Sequence, residues 1–180
     1  MACLITQGRN EECSQYIGGL YKVWFANFGT FTGMTINVSN QVSAMTATTI
    51  FEYELKGNSK LTQTIESNEN NGTTYCKQTL VLELKGGDYN LNNEIKLLAY
   101  GRPHAIVQDN YGNAWVLGRL RGLELKTAQH ETGANLGDKY GYVLTFEGME
   151  KEYGNSISGA TLTNAFVSMG VQPTITKGTN

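Results

Sequence analysis

Two histidines are the first candidates for chemistry in this chain, because imidazole is well suited to general acid–base catalysis near neutral pH. His104 stands where a strand-like segment begins, and His130 lies in the polar segment 127–133, which we interpret as a loop. Neither the Gly-x-Ser-x-Gly motif of a nucleophilic serine nor a phosphate-binding Walker loop occurs in the sequence. We therefore expect both histidines to be structural and the protein not to be an enzyme.

Closely spaced carboxylates suggest a second kind of catalytic site, the acid pair of a glycosidase. Glu11 adjoins Glu12, and Glu52 is separated from Glu54 by one residue. Adjacent and alternating acids are, however, more typical of the solvated face of a strand. We expect these four residues to form such faces, so the sequence predicts no catalytic residue.

The three cysteines could in principle form a disulfide or hold a metal ion. Cys3, Cys13 and Cys76 include no Cys-x-x-Cys pair, and only the two histidines could complete a zinc site. An odd number of widely spaced thiols favours reduced, packed side chains. We expect no metal site and no bound cofactor.

Two polar segments are candidates for contacts with other molecules. Arg119 and Arg121 form a small basic cluster in the segment 118–122, which could contact DNA phosphate or a neighbouring subunit. The simpler interpretation is a pair of surface charges that face acidic residues on a neighbour. The second segment is a polar hairpin tip that offers no apolar anchor, and we expect a neighbouring subunit to order it. It comprises Asn68, Glu69, Asn70, Asn71 and Gly72.

Composition restricts the class of protein. The chain has 180 residues, 40% of them hydrophobic and 10% aromatic, which is enough for one domain with a buried core. Its formal net charge of -2 does not favour a dedicated nucleic-acid-binding protein. No run of about 18 apolar residues predicts a membrane span. The N-terminal residues lack the pattern of a signal peptide, so we expect synthesis in a bacterial host's cytoplasm.

Strict alternation of apolar and polar residues is the dominant pattern, and it predicts strands with one buried face. Segment 20–28 is apolar on both faces and predicts a central strand, while 109–113 predicts a tight hairpin turn. The side chains expected on buried faces are Phe51, Tyr53 and Leu55, then Leu80, Leu82 and Leu84, then Trp115 and Leu117, then Leu123 and Leu125, and finally Tyr140, Tyr142, Leu144 and Phe146.

One helix interrupts the predicted strands. Leu91, Ile95 and Leu98 recur at helical spacing, with Asp88 or Asn90 as the N-cap. A second, short helix over 163–169 is a weaker prediction, and 172–180 is expected to be an extended tail. We thus predict a mainly β protein, an antiparallel β-sandwich or barrel with one flanking α-helix. Its parts are an N-terminal arm (1–19), a β domain (20–155, helix near 90–100) and a C-terminal extension (156–180).

The order of these segments over about residues 13 to 155 resembles that of tail-tube-like or ring virion proteins of tailed bacteriophages, including those of crAss-like phages. No single motif is diagnostic, and the resemblance lies in the series as a whole. The series is Cys13, Gly18-Gly19 with the apolar strand 20–28, the polar hairpin ending in Gly72, the strand 77–84 running into a helix, the strand-turn-strand block 106–118, and the segments 122–125, 132–138 and 141–148.

The resemblance implies a homo-oligomeric ring, of six or twelve copies, in the tail or head–tail neck of a virion. Its partners would be further copies of itself, adjacent ring proteins, and genomic DNA that passes through the lumen without specific binding. The family has no catalytic residues, and the extension after Asn155 leaves the choice between tube and neck open. The alternative is a monomeric β-sandwich module that binds a carbohydrate or protein on the host surface.

Overall fold

The computed structural model describes residues 8–9, 16–46, 49–87 and 89–178. Several residues of the sequence predictions lie outside the described residues: the N-cap Asp88, the acids Glu11 and Glu12, and the thiols Cys3 and Cys13. The described elements are β1 (Leu20–Ala26), β2 (Thr35–Ile36), β3 (Val42–Ala44), β4 (Thr49–Glu54), β5 (Lys60–Asn68), β6 (Thr73–Lys85), α1 (Tyr89–Tyr100), β7 (His104–Asp109), β8 (Ala114–Leu117), β9 (Glu124–Glu131), β10 (Gly141–Glu150), β11 (Asn155–Ser156) and β12 (Thr174–Lys177).

The strands form two main sheets. The first has the order β11-β8-β7-β1-β4-β12 and the second has the order β5-β6-β10-β9. Pairing is antiparallel except between β12 and β4, and the described strands do not close into a barrel. The predicted mainly β fold is therefore confirmed in its sandwich form, and β2 and β3 make a separate small ribbon.

The two sheets face each other across one apolar core. Leu80, Leu82 and Leu84 of β6 and Leu144 and Phe146 of β10 are buried in it, as their alternation predicts. The other predicted faces hold with few exceptions. Leu55, Leu117, Leu123 and Tyr142 are buried and Tyr53, Trp115 and Leu125 are partly buried, whereas Phe51 and Tyr140 are 36% and 48% exposed.

The six-stranded sheet is also covered on its other face, which explains why β1 is apolar on both sides. Val23 and Phe25 enter the core between the sheets, and Trp24 packs on the opposite face, with its ring 5.1 Å from that of Phe166. Phe166 lies in 163–169, which forms turns rather than the predicted short helix. The segment that follows is not a simple extended tail, because Thr174–Lys177 adds to the sheet as β12, parallel to β4.

The prediction that Glu52 lies on a solvated face of β4 is wrong. Its side chain is only 4% exposed and accepts hydrogen bonds from Trp24 Nε1 at 2.9 Å and from Lys22 Nζ at 3.2 Å. Lys177 of β12 pairs with the same carboxylate at 3.2 Å. Burial alone would raise the pKa of Glu52, but these hydrogen bonds outweigh burial and lower it. The C-terminal strand is thus tied to the sheet by an ion pair.

The predicted helix is confirmed as α1. Leu91, Ile95 and Leu98 pack against the core between the sheets, and Tyr142 of β10 donates a hydrogen bond to Asn92 at 2.6 Å. Asn90 lies within the helix and is not its N-cap. The helix covers the core beside β9.

Candidate functional site

The basic cluster of the sequence lies on a tight loop between β8 and β9, residues Gly118–Gly122, which we call the arginine loop. Gly118 and Gly122 have φ values of 60° and 73°, in the left-handed region where glycine is favoured. A Cβ on Gly118 would stand 2.6 Å from the carbonyl carbon of Gly122. The Gly122 amide donates to the Gly118 carbonyl at 2.9 Å, which closes the loop.

A buried carboxylate at the end of β10 holds the backbone of this loop. Glu150, at the end of β10, is 6% exposed, and its Oε1 accepts hydrogen bonds from the amides of Leu120 and Arg121 at 2.8 and 2.9 Å. Gln78 of β6 is 1% exposed and accepts from the Gly118 amide at 2.9 Å. Two strands of the four-stranded sheet therefore position a loop that leaves the six-stranded sheet.

His104 holds the same loop from the side. Its Nε2 accepts a hydrogen bond from the Gly29 amide at 3.0 Å, so Nδ1 carries the proton and donates to the Gly118 carbonyl at 2.6 Å. The ring stacks between Phe28 and Phe31, with centroid distances of 5.2 and 4.7 Å. Burial lowers the pKa of His104, against the hydrogen bond to Gly118, which acts to raise it. With both nitrogens engaged, the arrangement supports the structural role expected for this histidine.

The side chains that the loop displays have few contacts. Arg119 is half-buried and Arg121 is exposed, and no acidic group in the described part of the chain lies within ion-pair distance of either. The expectation that acidic residues on a neighbour face them stays a prediction. Between them, Leu120 is 60% exposed. The loop has a fixed backbone, on which Leu120 and Arg121 are exposed and Arg119 is half-buried.

The hairpin tip lies at the same end of the molecule as the arginine loop. β5 and β6 pair up to the turn, where Asn68 at the end of β5 lies opposite Thr73 at the start of β6. β10, in contrast, ends opposite Cys76. The first three residues of β6 thus extend about 10 Å past the neighbouring strand. In the turn itself, the Asn71 amide donates to Asn68 Oδ1 at 3.2 Å, and residues 68–72 are exposed. The Gly72 amide also donates to the Glu69 carbonyl at 3.3 Å, so these hydrogen bonds of the tip are local to the turn.

The two edges of the four-stranded sheet differ. β5 pairs with β6 over nine residues without a register shift, and no described strand covers its other side. β9, at the opposite edge, has an irregularity opposite Thr145 and Phe146 and carries several charges. Proteins usually protect an exposed edge by bulges, prolines or charges, and β5 has no bulge and no proline but carries Lys60 at its start and Glu66 near its end.

The other candidate residues named from the sequence do not come together at one site among the described residues. His130 lies in β9, not in the predicted loop, and its ring stacks on Tyr142 at 4.5 Å. Cys76 is a buried free thiol whose pKa is raised by burial. No group of three potential metal ligands occurs among the described residues. The helix found in the described ranges is too short and too polar to span a bilayer.

Sequence reasoning missed Gln78 and Glu150, although a signal for both was present. Gln78 alternates in phase with the buried leucines of β6, and Glu150 alternates in phase with Leu144 and Phe146 of β10. A polar residue in the buried phase of a strand needs a partner inside the protein. Here those partners are the amides of the arginine loop.

A cleft of about 390 Å³ opens between the sheets at the other end of the molecule. Trp115, Lys60 and Gln63 line it together with the segment 17–20. Asp109 also borders it, but its carboxylate accepts hydrogen bonds from the amides of the β7–β8 turn, including that of Gly112 at 2.7 Å. The cleft offers an indole ring and hydrogen-bonding groups on its wall.

Comparison of the chain with known protein families, with curated proteins and with solved structures finds no match in any of the three.

Proposed function

We propose that this chain is a structural protein of a bacteriophage virion, which forms a homo-oligomeric ring around the DNA channel of the tail or head–tail neck. The observation that carries the proposal is the four-stranded sheet, whose edge strand β5 is long and regular and is not covered by any strand of the described residues. Such an edge presents unpaired amides and carbonyls that a strand of another chain can bind. The order of sequence segments described above supports the same assignment.

A ring is compatible with a sheet that has one regular edge. Because β9 is irregular and charged, we expect β5 of one copy to bind a different surface of the next copy, and such a contact is heterologous. Heterologous contacts repeat around an axis and close into a ring when the rotation allows it. We expect six or twelve copies, as the resemblance implies.

The outer face of the four-stranded sheet suits a channel wall. Two of its basic groups are paired, Lys77 with Glu147 at 3.0 Å and Lys139 with Glu83, whereas Lys60 and Lys85 form no ion pair among the described residues. Thr79 and Thr145 lie between these pairs on neighbouring strands. Because phosphate binding depends on unpaired cations, a face with only two of them would hold DNA weakly and let it slide.

Purified protein at increasing concentration tests the proposal, with ring formation measured by sedimentation velocity and by electron microscopy. Thr62→Lys with Thr64→Lys places two charges on β5 and should abolish assembly, because charged edges resist strand pairing. Asn93→Lys, on the exposed part of α1, is the control and should assemble normally. Rings that form equally well from the β5 variant would contradict the role given to this edge.

The cleft beside Trp115 is the one observation that favours the alternative function, a monomeric module that binds carbohydrate. Aromatic rings with nearby amide and charged groups are a common way to hold a sugar. Because Trp24 is buried on the far face of the six-stranded sheet, a Trp24→Phe variant would leave Trp115 as the fluorescent reporter of the cleft. Saturable quenching by mono- and disaccharides, from a protein that stays monomeric at every concentration, would favour this alternative over the ring.

A further inference from the structure

The turn between β5 and β6 contains Asn71 and Gly72, the one place in the sequence where glycine follows asparagine, and we call these two residues the turn pair. Asparagine before glycine is chemically labile, because no Cβ keeps the glycine amide away from the asparagine carboxamide. Both residues are exposed. Apart from the chain neighbours of Gly72, no described atom lies within 4 Å of the position that a Cβ there would take. A nucleophile and its target therefore stand side by side in open solvent.

Few contacts restrain the turn pair. The Gly72 amide donates to the Glu69 carbonyl at 3.3 Å, which is longer than usual for such a bond. The Asn71 side chain forms no hydrogen bond with any described residue, and only its backbone amide is engaged, with Asn68 Oδ1 at 3.2 Å. Because an exposed turn opens at little cost in free energy, the Gly72 amide should often be released in the folded protein.

The two asparagines that precede serine, the next most labile sequence, are held by the fold. Asn155 is 3% exposed, and its Nδ2 donates to the carbonyl and to Oδ1 of Asn40. Asn58 is exposed, but the Ser59 that follows it is 2% exposed and accepts a hydrogen bond from β6 at 3.0 Å. The structure thus restrains these two sites and leaves the turn pair unrestrained.

We propose that Asn71 is a site of spontaneous deamidation, the modification that converts asparagine to aspartate or isoaspartate. The Gly72 nitrogen attacks Asn71 Cγ, so that an N–Cγ bond forms, the Cγ–Nδ2 bond breaks, and ammonia leaves with the proton that the Gly72 nitrogen has lost. Water then opens the resulting succinimide. Addition of water at Cγ gives aspartate, and addition at the main-chain carbonyl carbon gives isoaspartate.

The reaction changes the surface of the hairpin tip. Either product adds a negative charge beside Glu69, in a segment 68–72 that contains no basic residue. Isoaspartate also lengthens the main chain by one carbon, so the hydrogen bonds of the turn cannot form as before. This inference goes beyond the proposed ring and does not depend on it, because the reaction needs only the folded hairpin.

Peptide mapping by mass spectrometry, on protein incubated in mildly alkaline buffer, tests the proposal. Trypsin releases residues 61–77 as one peptide, and fragmentation assigns the reaction to Asn68, Asn70 or Asn71. We expect Asn71 to react severalfold faster than the other two and to react faster as pH rises, because the attacking amide must lose its proton. Methylation by protein isoaspartate methyltransferase should label the isoaspartate product.

Variants and a denatured reference complete the test. Gly72→Ala places a methyl group beside the nucleophile and Asn71→Gln requires a larger, less favourable ring, so both should slow the reaction at residue 71 severalfold. Asn70→Gln is the control and should leave Asn71 as reactive as in wild type. In urea, Asn58 and Asn155 should react as well. The proposal is overturned if Asn71 reacts only in urea, since the folded turn would then protect it, or if neither variant slows ammonia release from native protein.

Discussion

Removal of the Glu150 carboxylate should loosen the arginine loop and destabilise the protein by a calculable amount. In Glu150→Ala, the amides of Leu120 and Arg121 lose an ionised acceptor at 2.8 and 2.9 Å. A hydrogen bond to a charged group contributes about 1.5–3 kcal/mol. Because Leu120 is 60% exposed, water can reach its amide, and the lower end of that range applies. Two such bonds give a loss of about 3 kcal/mol.

The conservative variant Glu150→Gln should lose much less. Its amide oxygen can still accept from both backbone groups, as a neutral acceptor with about 1 kcal/mol per bond, so the net loss is about 1 kcal/mol. For a chain of this length, 1 kcal/mol corresponds to a fall of about 2–4 °C in Tm. We therefore expect Tm to fall by about 6–12 °C in Glu150→Ala and by about 2–4 °C in Glu150→Gln.

Calorimetry and amide hydrogen exchange measure the two parts of this prediction. Glu152→Ala is the control, because Glu152 is exposed and no ion pair is formed by it within the described residues. Exchange at the Leu120 and Arg121 amides should accelerate in Glu150→Ala and stay slow in the control. The reasoning is refuted if Glu150→Ala melts with the control, or if Gln is as damaging as Ala.

Four further predictions concern other parts of the molecule. The native pKa of His104 lies below its ordinary value of 6.5, so the unfolded chain binds more protons and stability should decline as pH falls below 6.5. The variant His104→Gln should flatten this pH dependence in denaturant titrations, and an unchanged slope would contradict the argument. Leu144→Ala removes a fully buried side chain and should cost about 2–5 kcal/mol in chemical unfolding, whereas an unchanged midpoint would mean that the faces of β10 are reversed. The hairpin tip 68–72 should exchange its amides fast in free protein and slowly in assemblies, and strong protection in a monomer would refute this. Duplex DNA should bind weakly at physiological salt in anisotropy titrations, and submicromolar affinity with a steep salt slope would instead identify Arg119 and Arg121 as a DNA-binding site.

The sandwich could be predicted from the sequence where one face of a strand is buried and the other is not. β6 and β10 alternate strictly, so the period of two identifies their inner residues without any knowledge of partners. The hairpin at 109–113 could be predicted for a similar reason, because its turn chemistry is local. Asp109 accepts hydrogen bonds from three successive amides within four residues of itself.

The apolar cluster on the other face of the six-stranded sheet could not be predicted, because its residues are remote from one another in sequence. Glu52 alternates with apolar residues as a solvated acid would. It is buried because the segment 155–177 packs on the outer face of the six-stranded sheet, where Lys177 pairs with it. The wrong prediction for His130 has the same cause, because its polar neighbours suggest a loop although the segment pairs with β10. The arginine loop could be found as a basic cluster, but its rigidity depends on Gln78 and Glu150, which are 40 and 29 residues from the groups they bind.

The contrast between the two exposed elements at one end of the molecule bears on how a partner would bind there. The arginine loop is held by buried polar groups, and burying a carboxylate costs free energy that an apolar side chain would not. That cost is understandable if the loop must present its arginines in one fixed geometry, since a fixed element loses little entropy on binding. The hairpin tip has no such support and would lose entropy when a neighbour orders it. The arginine loop should therefore determine the affinity of a contact at this end, while shortening the tip should change it little.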